Sequence, residues 1–147
     1  MTNKNVVIIG FGSLNGNDQA GWWVIDNLKN DNEKNVILFK SKADGADWFP
    51  VVENATSVIF VDAVKSDERA GFVHVVENST ACINNVHSTS HTISIFESIE
   101  LAKSLAYLKV EFQFFGIEIK DDNSCTDAVR KSINNVSDKI RTILFKE

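Results

Sequence analysis

Apolar and polar positions fall into short blocks along the chain. "NVVIIGFG", beginning at Asn5, is an apolar run closed by glycines, as expected of a strand buried on both faces. From Gln19 to Asn30, Ala20, Trp23, Val24 and Leu28 recur at helical spacing. "NVILFK" reads as a second strand. "DWFPVVENA" predicts a short helix, with Asp47 as its N-cap and Pro50 tolerated in its first turn. "SVIFVDAV" predicts a third strand over Ser57 to Val61, with Asp62 at its C-terminal end. "KSDERAG" is a turn, and "FVHVVE" alternates as a fourth strand with one wet face would. Residues 78–90 are polar and loop-like. A helix is expected from Thr92 to Ala106, with Ile95, Ile99, Ala102 and Leu105 facing inward. "VEFQFFGIEI" is the last strand. Thr126 to Phe145 is the last helix, capped by Thr126 or Ser124, with Val129, Ile133, Val136, Ile140 and Ile143 or Leu144 as its stripe.

The order β-α-β-α-β-β-α-β-α implies an α/β fold of three layers, α/β/α. The sheet is expected to be five-stranded, twisted and mostly parallel, with helices on both faces. One connection breaks the pattern. Only about nine residues join the third and fourth strands, fewer than the dozen or so a parallel crossover needs. The fourth strand is therefore expected to run antiparallel, and residues 78–90 must carry the chain back to the other edge. No repeat or linker interrupts the pattern, and 147 residues suit a single domain over 1–147.

Composition narrows the partners. Apolar residues make up 44% and charged residues 24%, and the net charge of −5 argues against nucleic acid or an acidic membrane surface. Cys82 and Cys125 lack metal-motif spacing, so free thiols in a reducing compartment are expected. The first apolar run, Val6 to Ile9, is too short for a signal peptide, and no segment is long enough to span a bilayer. A cytoplasmic protein is the expectation.

Ligands of open α/β sheets bind beyond the carboxyl ends of the parallel strands. Asp18, Asp62, His91 and Glu118 all fall at that edge: Asp18 after the first strand, Asp62 ending the third, His91 opening a helix, Glu118 near the end of the last strand. Carboxylates with an imidazole suit a divalent transition metal such as zinc, nickel or iron. Each residue also has a plain structural reading, Asp18 as a helix cap, Asp62 as a loop cap, His91 as a bystander beside the capping Ser90. A competing reading is phosphate binding. Gly10, Gly12 and Gly16 give G-x-G-x-x-x-G between strand and helix, and Lys40 or Lys42 could meet a 2′-phosphate. Against it, the Asp18 carboxylate would compete for the helix N–H groups that hold a pyrophosphate. Other candidates are weaker. His87 and His91 form H-x-x-x-H without the HExxH pattern, and Ser88 and Ser90 lack G-x-S-x-G. Cys82 has no visible activator. His74 is expected to be a surface or packing residue. Of Trp22 and Trp23, one is expected in the core and the other exposed near the edge.

These blocks resemble a known family, the endopeptidases that mature the large subunit of nickel-iron hydrogenases. "GFGSLNGNDQAG" is similar to the family's first loop, G-x-G-N-x-L-x-x-D-[DE]-G-x-G. "VIFVDAV" with "AGFVHVVE", "STSHTISIFESIELAKSL", "FQFFGIEI" and "CTDAVRKSI" resemble its later blocks, in the family's order. The resemblance implies an endopeptidase that cuts the C-terminal extension from a large-subunit precursor after nickel insertion. It implies nickel contacts at Asp18, Asp62 and His91, the trio the topology gathers, with the nickel presented by the precursor and no organic cofactor. The metal would polarise the scissile carbonyl, activate a bound water, or act only as a recognition tag; these stay open. No nucleic acid, no membrane and a monomeric state are the remaining expectations. The chain departs from the pattern at Ser13, Asn17 and Gln19, and its "KSKADG" keeps Gly45 but lacks the acid and glycine pair of D-G-G-T-x-G. The closing "GIEP" of relatives is "GIEI" here. Those departures motivate an alternative, a non-cleaving relative that grips the precursor. A dinucleotide-binding domain is the third reading.

Overall fold

The computed structural model describes residues 4–13, 19–31, 35–42, 46–77, 90–120 and 126–145, with 90–94 described in backbone only. Among the described residues, five strands form one sheet: β1 (Val6–Gly12), β2 (Val36–Lys42), β3 (Ser57–Val64), β4 (Val73–Glu77) and β5 (Phe112–Glu118). Their order is β2-β1-β3-β5-β4. All neighbours pair in parallel except β4 with β5, which is antiparallel, as the short β3–β4 connection requires. The helices α1 (Ala20–Lys29), α2 (Ser90–Ser104) and α3 (Asp127–Phe145) accompany them.

Strand alternation divides the core into two. Ile8, Ile59, Val61, Phe115 and Ile117 pack on Val24, Ile25 and Leu28 of α1 and on Val129, Ile133, Val136 and Ile140 of α3. On the other face, Val7, Ile9, Phe11, Phe60, Val64 and Phe114 pack on Ile95, Phe96, Ile99 and Ala102 of α2 and on Trp48 and Phe49. The expected three layers are thus present. Residues 47–55 hold only a single 3-10 turn, Pro50–Val52. Asp47 does not cap it; its Oδ1 instead accepts a 2.5 Å hydrogen bond from the Ser41 hydroxyl.

Helix ends differ from the sequence expectation where backbone geometry overrides the apolar spacing. The α2 helix begins at Ser90 and stops at Ser104. Ala106 takes a left-handed φ of 66°. The Ala106 N–H donates to the Lys103 carbonyl and the Tyr107 N–H to the Ala102 carbonyl, a Schellman closure. The reversal turns Leu105, expected to face inward, outward to 56% exposed, while Leu108 is buried and Tyr107 packs against Phe49. At the start of α3, the Thr126 hydroxyl accepts from the Val129 N–H, so Thr126 is a cap; Ser124 lies outside the described residues.

Where β1 meets α1, two glycines remove the side chains that would hold the elements apart. A Cβ on Gly10 would strike the Gly21 carbonyl and Ile25, and one on Gly21 would strike the carbonyls of Phe11 and Val61. The α1 helix therefore lies directly on β1 and β3. Among the described residues, no helix is long and apolar enough to cross a membrane.

Candidate functional site

The sheet order places the reversal of strand connectivity between β1 and β3, the position where open α/β sheets form a ligand crevice. Asp62 lies at this crevice. It sits two residues inside the end of β3 rather than at its end, because β3 continues to Val64 along β5, with Asp62 opposite Gly116. On the β1 side the pairing stops at Gly10–Val61. Successive residues of a strand direct their backbone groups to alternate sides. The Val64 carbonyl accepts from Ile119 on the β5 side, so the Ala63 N–H faces the side that β1 has vacated. There it donates to Asp62 Oδ1 at 2.8 Å. The Asp62 carboxylate, 3% exposed as a residue, is thereby anchored by its own strand over the crevice.

The other members of the expected trio are placed less fully. Asp18 lies outside the described residues. His91 is the second residue of α2, with only its backbone described. The helix leads through residues 105–111 into the first residue of β5, so its C-terminus lies at the amino edge and its start at the carboxyl edge. Alternation puts Asp62 on the α2 face, with Phe60 and Val64. His91 and Asp62 thus share a face and an edge. Among the described residues, no three His, Cys, Asp or Glu side chains gather as a metal site. Gly16, Ser88, His87, Cys82 and Cys125 also fall outside the description.

Beside Asp62, on the same face, is a polar cluster that sequence reasoning did not assemble. Glu118, opposite Val64, is 0% exposed. Its Oε2 accepts from the Ser66 N–H at 2.5 Å and from Lys120 Nζ at 3.0 Å. Its Oε1 accepts from the Ser66 hydroxyl at 2.6 Å and bonds His74 Nε2 at 2.8 Å. Burial alone pushes the Glu118 carboxyl upward, but the bonds from the Ser66 hydroxyl, His74, the Ser66 N–H and Lys120 outweigh it and hold it below its ordinary 4.5. Ionised Glu118 only accepts, so the hydrogen between it and His74 sits on Nε2. Of the two readings of His74, surface or packing, the structure bears out packing. Its side chain is 10% exposed and its ring packs edge-on to Phe72 at 4.8 Å. The signal was available: alternation puts His74 on the face of buried Val76.

Features that pointed to a phosphate have other work. Gly10 serves the approach of α1 to β1. Lys40 Nζ pairs with Asp26 at 2.7 Å and lies 5.9 Å from the Trp22 ring centre. Trp22 donates its indole N–H to the Ser41 carbonyl at 3.0 Å, and Trp22 and Trp23 are both half-buried rather than divided between core and solvent.

A family model described as hydrogenase maturation protease matches residues 23–146. The fold is similar to the hydrogenase maturating endopeptidase HybD from E. coli, with a TM-score of 0.80 at 13% identity over 95% of this chain and 91% of that one. It is similar to the [NiFe] hydrogenase maturation protease HybD from Thermococcus kodakarensis, with a TM-score of 0.77 at 17% identity over 95% and 98%. A hydrogenase 2 maturation peptidase from a Thaumarchaeota archaeon gives a TM-score of 0.72 at 21% identity over 98% and 100%. A search of curated proteins found no match.

Proposed function

The chain belongs to the hydrogenase maturation protease family, and from that premise we propose that it removes the C-terminal extension of a nickel-iron hydrogenase large-subunit precursor. In this reading the nickel arrives already seated in the precursor and is part of the substrate. Asp62, Asp18 and His91 supply its ligands on the enzyme side. The observation that carries the reading is Asp62, a buried carboxylate anchored through the Ala63 N–H at the β1–β3 crevice. His91 opens the helix on the same face, and the first loop leaves β1 at the same edge.

The residues suit that cation. Two carboxylates and a neutral imidazole are hard-to-borderline donors, appropriate to nickel near neutral pH. One Asp62 oxygen is held by an N–H, which restrains the carboxylate before the precursor arrives and limits the ordering that binding must supply. Bound there, the metal would draw electron density from the scissile carbonyl or mark the precursor as ready for cutting.

Incubation with nickel-loaded and nickel-free precursor, followed by mass spectrometry of the large subunit, tests the proposal. The expected outcome is loss of the extension with the nickel-loaded precursor alone. An unchanged mass within a stable complex would instead assign the non-cleaving role that Asn17 and "KSKADG" motivate. Calorimetric titration with NADP or FAD is expected to give no binding heat; tight binding would restore the dinucleotide reading.

A further inference from the structure

We propose that Glu118 is a positioning residue for Asp62, acting through the end of β3; for its catalytic part this rests on the function proposed above. Beyond Val61, β3 pairs with β5 and no longer with β1. Among the described residues, this projecting end (63–66) is held from the β5 side. Ile119 N–H donates to the Val64 carbonyl at 2.8 Å. The Ser66 N–H and hydroxyl both donate to Glu118, at 2.5 and 2.6 Å, and Lys120 Nζ donates to the Ser66 carbonyl at 2.5 Å. The Ala63 N–H that anchors Asp62 belongs to this same projection.

Glu118 is itself fixed from three directions. His74 reaches it from β4, Lys120 from beyond β5, and its own backbone bonds Gly71 and Phe72, each at 2.8 Å. A buried carboxylate that accepts four bonds is a rigid point, since loss of any donor exposes the cost of its burial. Through Ser66, that rigidity passes to a short stretch of backbone that ends at the Asp62 anchor. The balance of charge fits as well. Glu118 has Lys120 beside it, so its negative charge is compensated locally and does not add to that of Asp62.

The experiment compares wild type, Glu118→Gln and Lys120→Met by amide hydrogen exchange followed by NMR. Lys120 is 44% exposed, so its substitution preserves the fold even if Glu118→Gln does not. The Ala63 amide is expected to exchange about tenfold faster in Glu118→Gln and severalfold faster in Lys120→Met, while Val24 in α1 stays unchanged. Unchanged exchange at Ala63 together with faster exchange at Ser66 overturns the proposal, because the cluster would then hold Ser66 alone. In the cleavage assay the variants are expected to lower kcat/KM for the nickel-loaded precursor, because Asp62 contacts the metal it carries; an unchanged kcat/KM alongside faster Ala63 exchange overturns the catalytic part of the proposal. A wild-type protein that leaves nickel-loaded precursor uncut sinks the protease reading, while the exchange result still decides whether Glu118 positions Asp62.

Discussion

Gly10 and Gly21 face each other across the contact of β1 with α1, and neither position leaves room for a Cβ. Gly10 and Gly21, on either side of the first loop, therefore have a packing reason that does not involve a ligand. The α1 helix rests on the sheet backbone itself.

Gly21→Ala is expected to destabilise the fold by about 1–3 kcal/mol, because the methyl meets the carbonyls of Phe11 and Val61, which cannot rotate away as a side chain could. Urea denaturation followed by tryptophan fluorescence measures it. A loss near zero would mean that the helix lifts from the strand without cost.

Ala106→Gly is expected to do the opposite. Ala106 holds the left-handed position of the Schellman closure at φ 66°, a conformation that costs an L-residue roughly 1 kcal/mol and glycine little. A gain of about 0.5–1 kcal/mol in the same denaturation experiment is the expected result, with no change in precursor cleavage.

Acid should weaken the wild-type protein through Glu118. Its folded pKa lies below the ordinary 4.5, so its contribution to stability is present above that value and is lost as pH falls through the folded pKa. Stability measured from pH 7 down to about pH 3 should fall more steeply for wild type than for Glu118→Gln, which has no proton to take up. Parallel profiles would show that Glu118 does not titrate differently in the folded chain.

Asp62→Asn and His91→Ala are each expected to lower precursor processing by at least on the order of 100-fold while leaving thermal unfolding near that of wild type. Circular dichroism separates a failure to fold from a failure to cut. Normal processing by either folded variant would remove that residue from the metal contacts.

The layered fold was legible because strand and helix periodicities are long-lived signals and because one short connection forced β4 to run antiparallel. Asp62 and Glu118 were legible for the same reason: topology alone brings strand ends to one edge. Leu105 was misplaced because helical spacing says nothing of where a helix stops, and Ala106 takes a turn that sequence reasoning assigns to glycine. The bonds of His74 and Ser66 to Glu118 were missed because that partner lies 44 or 52 residues away, on β5, a strand inserted between β3 and β4. Asp47 looks like a cap in sequence, yet the Ser41 hydroxyl claims its carboxylate.

That insertion also bears on how the chain is made. β3 and β4 are consecutive in synthesis, yet β5 lies between them in the sheet. A nascent chain that has emerged only as far as Glu77 cannot seat β4, and the outer edge of β3, with Asp62 on it, waits bare until residues 112–118 arrive. Such late, non-local pairing slows folding and leaves apolar strand edges open to other chains. Ribosome-bound fragments ending before Phe112 would be the vulnerable species, and chaperone demand should fall sharply once Glu118 has cleared the exit tunnel.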